Sequence, residues 1–361
     1  MAGKAKSGIP DPKGHQASSP AEIPAAAWKD IASRTWQRTW DDNVGLVAAG
    51  VAFYGFFALL SLLAMIVLVY GLVAEPKTVV ENFRALTTIL PTDVAALIAD
   101  QLLNSVQMSS GRTGIGALLA LLVALYGGSN GASALITSLN IAYQEKEKRS
   151  LLHFYLVAVG ITVIAVVLAV LALVATTIVT SLQELAPQAS PAAVVAGKLA
   201  AYLLLVFAAA GVAATLYRFA PSREEAKWTW ITPGSMFTGS TWLVLTLLFG
   251  LYVANLTDYS ATYGSIAAII MLLTWMYLSA YAFLFGAELN AELEHQTKKD
   301  STTGHPEPIG KRGAWVADHV AGVKDVGLAD DGPSLAEAGP PPPDDKKASS
   351  GRGGAGRPSR E

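Results

Sequence analysis

Asn130, Ser133, Thr137, Asn140 and Gln144 succeed one another at steps of three, four, three and four residues, the rhythm of one helix face. The stretch that carries them, 114–143, is apolar and long enough to cross a bilayer, so each amide and hydroxyl must turn toward protein rather than hydrocarbon. Two chemistries fit such a row. It can join helices through interhelical hydrogen bonds worth about 0.6–2 kcal/mol each, with small residues permitting close backbone contact; Gly127 and Gly131 form such a small-xxx-small pair, and Gly128 adds a further close-approach point. Alternatively, the row lines a polar seam along which a substrate's headgroup passes.

Other polar groups stand near the ends of apolar stretches. Arg218 falls where a long side chain can snorkel to the boundary, and Glu288, followed by Asn290, is the deepest acid. Both ends should lie at one membrane face, so either Arg218 and Glu288 interact there or each merely marks a helix end. At the opposite ends, Tyr252, Asn255, Tyr259, Tyr263 and Ser265 gather around a tight turn. An aromatic belt accounts for the tyrosines; the Asn255 amide still has four hydrogen-bonding sites to satisfy. The candidate seam is therefore Asn130, Ser133, Thr137, Asn140, Arg218, Asn255, Glu288 and Asn290.

Catalytic chemistry is not encoded in recognisable form. His15, His153, His295, His305 and His319 are scattered without metal-ligand spacing. No cysteine is present, which excludes disulfides, thiolate metal sites and cysteine nucleophiles. Walker and HExxH patterns are missing, the GxSxG string at 127–131 lies inside an apolar stretch and forms no strand-to-helix elbow, and the spans lack the Asp/Glu/His chain of a typical proton relay. No enzyme activity, cofactor or metal is expected.

What must position these groups is a set of membrane helices. Apolar stretches at 46–74, 114–143, 154–182, 194–219, 231–255 and 263–289 carry almost no formal charge. Each exceeds the roughly 20 residues a helix needs to cross the hydrocarbon core, and one charge at its centre costs about 2.5–3.5 kcal/mol. With 52% hydrophobic residues among 361 and a mean hydropathy of +0.40, the chain reads as an all-α, polytopic bundle of six transmembrane helices. The net charge of −2 gives no general argument for nucleic-acid binding. The first apolar run begins after about forty polar residues, too late for a cleavable signal.

Basic residues alternate between the connections. Lys29, Arg34 and Arg38 precede the first span; Lys146, Lys148 and Arg149 follow the second; Arg218, Arg223 and Lys227 follow the fourth; Lys298, Lys299, Lys311 and Arg312 follow the sixth. The positive-inside rule then puts both termini in the cytoplasm.

Outside the membrane domain at 43–295, residues 1–27 and 296–361 read as disordered because they are rich in Gly, Pro, Ser and mixed charge. A short amphipathic piece is allowed for around 315–323. Within 28–42, Trp28, Ala32, Trp36 and Trp40 share one helix side with Arg34 and Arg38 opposite, the pattern of an interfacial helix; a helix packed on the bundle is the alternative. The external segment 76–112 reads as two amphipathic helices broken at Pro91 and Asp93.

Several stretches together resemble the YihY/virulence factor BrkB family of bacterial inner-membrane proteins, once widely labelled ribonuclease BN. They are Ala48-Ala49-Gly50-Val51-Ala52-Phe53-Tyr54, Leu139-Asn140-Ile141-Ala142-Tyr143, Leu216-Tyr217-Arg218-Phe219-Ala220-Pro221-Ser222 and Trp230-Ile231-Thr232-Pro233-Gly234, then Tyr252-Val253-Ala254-Asn255, Tyr263-Gly264-Ser265-Ile266-Ala267-Ala268 and Gly286-Ala287-Glu288-Leu289-Asn290-Ala291-Glu292. Two departures stand out: Ser61 where the family usually has a proline, and Ser129-Asn130-Gly131 in place of a Ser-Arg-Gly-like step. The resemblance implies six spans in the inner membrane and a transporter-like role, with envelope-lipid handling and cation exchange among the roles suggested for members.

The leading expectation is a permease-like or lipid-handling protein with membrane lipids as partners. A non-transporting scaffold docking an envelope protein through 76–112 is the alternative, and a homo-oligomer is compatible with either. A ribonuclease is disfavoured because no metal site or acid/base pair in a basic groove is encoded.

Overall fold

The computed structural model describes residues 11–73, 114–167, 191–255 and 265–323. Among them every regular element is helical: α1 (Ala25–Asp41), α2 (Val44–Val73), α3 (Gly114–Ala142), α4 (Leu151–Val167), α5 (Pro191–Phe219), α6 (Trp228–Ala254), α7 (Ser265–His295) and the short α8 (Trp315–Asp318). A 3-10 turn at Pro20–Glu22 precedes α1, and one antiparallel bridge joins Ala226 to Thr302. Four of the helices, within α2, α5, α6 and α7, have the length and composition to cross a membrane. Of the other two expected spans, α3 covers the second over 29 residues, and α4 falls on the first part of 154–182, the rest of which lies outside the described residues. The external segment 76–112 lies outside the described residues.

The centre of the bundle is α7, which packs against α2, α3 and α6, while α2 pairs with α3 and α5 with α6. Glycines set the closest approaches. A Cβ on Gly131 would meet Ala58 Cβ at 2.5 Å, and one on Gly127 would collide with Ser61, so the small-xxx-small pair does bring α2 and α3 together. Ser61 itself sits in unbroken helix, its hydroxyl donating back to Phe57 O at 3.1 Å. Gly234 of α6 and Gly286 of α7 meet in the same way, each lying where the other's backbone carbonyl would strike a Cβ. Large apolar side chains such as Leu122, Leu204, Leu248 and Ile266 point outward, as lipid-facing residues of a membrane helix do.

One end of the bundle is covered by a polar plate, and here the structure corrects two expectations of disorder. Residues 11–24 and 297–323 are packed, not loose. Lys298 N–H donates to His15 O at 2.8 Å, and Thr297 Oγ1 donates to Ala17 O at 2.6 Å. Ala17 and Ile23 bury against Trp230 and Leu293. Farther along, Lys227 N–H reaches Ser301 O, Thr303 N–H reaches Glu225 O, and Trp315 N–H reaches the buried Glu145 carboxylate. Arg312, almost sealed, donates to the carbonyls of Glu307, Ala317 and Lys298. Composition alone misleads here because these segments satisfy one another's backbone groups without any periodic apolar face.

Of the two readings of 28–42, the structure shows the helix packed on the bundle. Its apolar side, Ala27 and Ile31 with Thr35 and Thr39, docks on the bundle. Trp36 and Trp40 are 55% and 66% exposed, but Arg34 and Arg38 do not point to lipid. They turn inward to Glu292, at 2.6 and 3.6 Å.

Candidate functional site

The row of polar residues on α3 divides into two groups. Asn130, Ser133 and Thr137 line an open cleft of about 440 Å³. Val47, Gly50, Val51 and Tyr54 of α2 form its other wall, with Phe154 of α4 at one edge. Ser133 returns its proton to Ser129 O at 2.8 Å. The Asn130 amide makes no side-chain hydrogen bond among the described residues, and Thr137 is exposed. The cleft therefore presents an unclaimed amide and a hydroxyl.

Asn140, one turn farther, belongs instead to the polar end. It is buried, donating to Glu147 Oε2 at 2.9 Å and accepting Ser222 N–H at 2.7 Å. Its amide thus ties the connection after α3 to the connection after α5. Gln144 likewise leaves the seam and donates to Asp42 Oδ2 at 2.8 Å.

Arg218 and Glu288 do not pair. Arg218 donates to Ala226 O at 2.6 Å and to Glu225 Oε2 at 2.7 Å, and its guanidinium lies 4.7 Å from the centroid of Trp228. Glu288 faces the α1–α2 joint. Residues at one height on two helices need not share a facing side. Asn255, at the far end of α6, is exposed and donates back to Leu251 O at 2.7 Å, the local bond of a helix terminus. It lies apart from the other candidates.

Asn290 is fully buried between α6 and α7. It donates to Ile231 O at 2.9 Å and accepts Gly234 N–H at 2.7 Å, so one amide secures the backbone on both sides of Pro233, whose ring has no N–H to offer. Tyr217 adds a second link, donating to Phe283 O at 2.6 Å and accepting from the Thr238 hydroxyl at 2.7 Å.

Around these lies a set of buried charges that sequence reasoning passed over. Arg223 and Glu294 form a 2.7 Å ion pair, 1% and 0% exposed, with the guanidinium 4.8 Å from the Tyr143 ring. Glu292 takes Arg34 and Arg38. Asp42 sits beside Glu288, and burial pushes its carboxyl above the ordinary range against the hydrogen bond from Gln144. Burial also raises Glu145, which accepts from Trp315 N–H and Lys148. A signal was present: Arg34 and Arg38, like Glu288 and Glu292, are four residues apart, on one helix face each.

The family model described as virulence factor BrkB matches residues 35–309. The chain is 32% identical over 257 residues to YfkH of Bacillus subtilis, a protein named ribonuclease-like, covering 68% of this chain and 88% of that one. It is 25% identical over 270 residues to a UPF0761 membrane protein of Pseudoalteromonas translucida, covering 73% and 86%. A UPF0761 membrane protein of Albidiferax ferrireducens is 25% identical over 284 residues, 75% of this chain and 64% of its own length. No solved structure matches.

Proposed function

The chain belongs to the virulence factor BrkB family, and on that premise we propose that it is a permease-like or lipid-handling protein of the bacterial inner membrane. Its substrate is amphipathic, with a polar head held in the α2–α3 cleft. Six helices cross the bilayer, both termini are cytoplasmic, and the polar plate faces the cytoplasm, as the alternation of basic connections argues.

The observation that carries this reading is the cleft beside Asn130. Its volume falls in the range of small-molecule sites, about 300–1,000 Å³. Tyr54, Ser133, Thr137 and the unclaimed Asn130 amide supply headgroup partners, while Phe53 and Phe57, exposed on the same helix, offer apolar surface to acyl chains. No bond-breaking step belongs to this reading. The clustered carboxylates Glu292 and Glu294 are held by arginines inside the bundle rather than set in a basic groove open to nucleic acid.

The test uses the purified full chain in liposomes, following movement of labelled lipid and Na⁺/H⁺ flux. Asn130→Leu, which removes the amide and fills the cleft, should cut lipid movement at least several-fold, while Thr215→Ala on the exposed side of α5 should leave it unchanged. Lipid movement indifferent to Asn130→Leu overturns the cleft reading. No movement of lipid or ion by the wild type turns the assignment to a scaffold acting through 76–112.

A further inference from the structure

Asp42 closes the joint between α1 and α2, and Glu288 sits on the inner side of α7, about two turns before the end of that helix at His295. Their carboxyl groups nevertheless lie within hydrogen-bond reach of each other, at 8% and 1% exposure. A carboxylate only accepts hydrogen bonds, so two carboxyl groups bond only when one carries a proton. The nearby guanidiniums are engaged elsewhere: Arg34 and Arg38 hold Glu292. Neither Asp42 nor Glu288 has a salt-bridge partner among the described residues.

Two further atoms point the same way. Glu288 Oε1 is sealed from solvent without a hydrogen-bond partner, and the hydroxyl of Tyr143 lies within electrostatic range of Glu288. Were both acids ionised, the site would hold adjacent like charges in a dry setting, the least favourable state available to them.

We propose that the Asp42–Glu288 pair is a proton-binding site, occupied at neutral pH, whose proton lets α7 close against the α1–α2 joint. Glu288 donates to Asp42, which accepts from Gln144 Nε2 as well. The charged and titratable groups facing the pair are Arg38 and Asp41 from α1, Tyr143 from the end of α3, and Glu292 from the next turn of α7. The proton exchanges with water, and only an O–H bond forms or breaks. The two acids titrate as one coupled unit. The pair also adjoins the cleft: Val47 begins its α2 wall just after Asp42, and Ile141 ends its α3 wall one turn before Gln144. The proton site goes beyond the cleft reading and stands whether or not the cleft takes a substrate.

Infrared difference spectroscopy of the full chain in lipid nanodiscs, titrated from about pH 5 to about pH 9, follows the carbonyl stretch of a protonated carboxyl. In the wild type that band should persist through neutral pH. Glu288→Gln should abolish it, because the amide keeps the bond to Asp42 without a titrating proton. Thermal unfolding over the same range gives a second readout. A site that binds its proton more tightly when folded stabilises most at low pH, so wild-type stability should fall as pH rises, and that slope should flatten in Glu288→Gln. Should that variant fail to fold, Asp42→Asn must shift the band by replacing the acceptor. A wild type without the band at neutral pH, or a band unmoved by these substitutions, overturns the proposal. No substrate enters these measurements, so they are independent of the flux result.

Discussion

Asn290 accepts the Gly234 N–H at 2.7 Å across the closest approach of α6 and α7. The same amide donates to Ile231 O at 2.9 Å, so a single side chain completes the backbone of a helix start that Pro233 leaves short of a donor. Two of the motifs that mark the family, Trp230–Gly234 and Gly286–Glu292, are thereby two halves of one contact.

Asn290→Ala should destabilise the protein by about 2–4 kcal/mol, since it strands a buried N–H and a buried carbonyl at once. Unfolding in detergent by heat or denaturant measures this. Asn290→Asp should fail to restore stability, because a carboxylate accepts from Gly234 but cannot donate to Ile231. Wild-type stability in Asn290→Ala would show that the α6–α7 contact does not depend on the amide.

The Arg223–Glu294 pair should be strongly coupled. Arg223→Met alone leaves an uncompensated buried carboxylate and should cost about 3–5 kcal/mol. Adding Glu294→Leu should recover most of that loss, although Ser301 Oγ, which donates to Glu294 at 2.9 Å, then loses its acceptor. A double-mutant cycle on unfolding free energies reads the coupling. Additive losses would mean that the two residues act separately.

Glu147 supplies an acid-sensitive fastening. Burial alone would raise its carboxyl, but bonds from the Arg149 side chain and backbone and from Asn140 bring it down to about 2. A carboxyl held below its ordinary value of about 4.3 lends stability above that value and loses it as pH falls toward the folded one. Between about pH 5 and about pH 2 the wild type should therefore lose more thermal stability than Glu147→Gln does. Equal acid sensitivity in the two proteins would remove Glu147 from this role.

The α3 row shows how far a linear pattern carries. The spacing from Asn130 to Gln144 correctly describes one helix face, and its first three residues share a cleft. Asn140 departs because the connections 143–150 and 220–227 fold over the last turn, and no spacing within α3 registers a cover made by distant chain. Arg34 and Arg38 illustrate the reverse problem. Four-residue spacing reads equally well as cations facing lipid or as a fork closing on Glu292, and only the position of α7 decides. The family motifs were legible as a set, yet what unites Asn140, Tyr143, Tyr217, Gly234, Glu288 and Asn290 is that most converge at the same polar end.

The plate has a consequence for biogenesis. His15 and Ala17 are synthesised before any of the long helices described above, and their partners Thr297 and Lys298 emerge only after α7 has been made. That segment must therefore wait, unlatched, through synthesis of α1 to α7, and a nascent chain halted before Thr297 lacks the residues that fasten it.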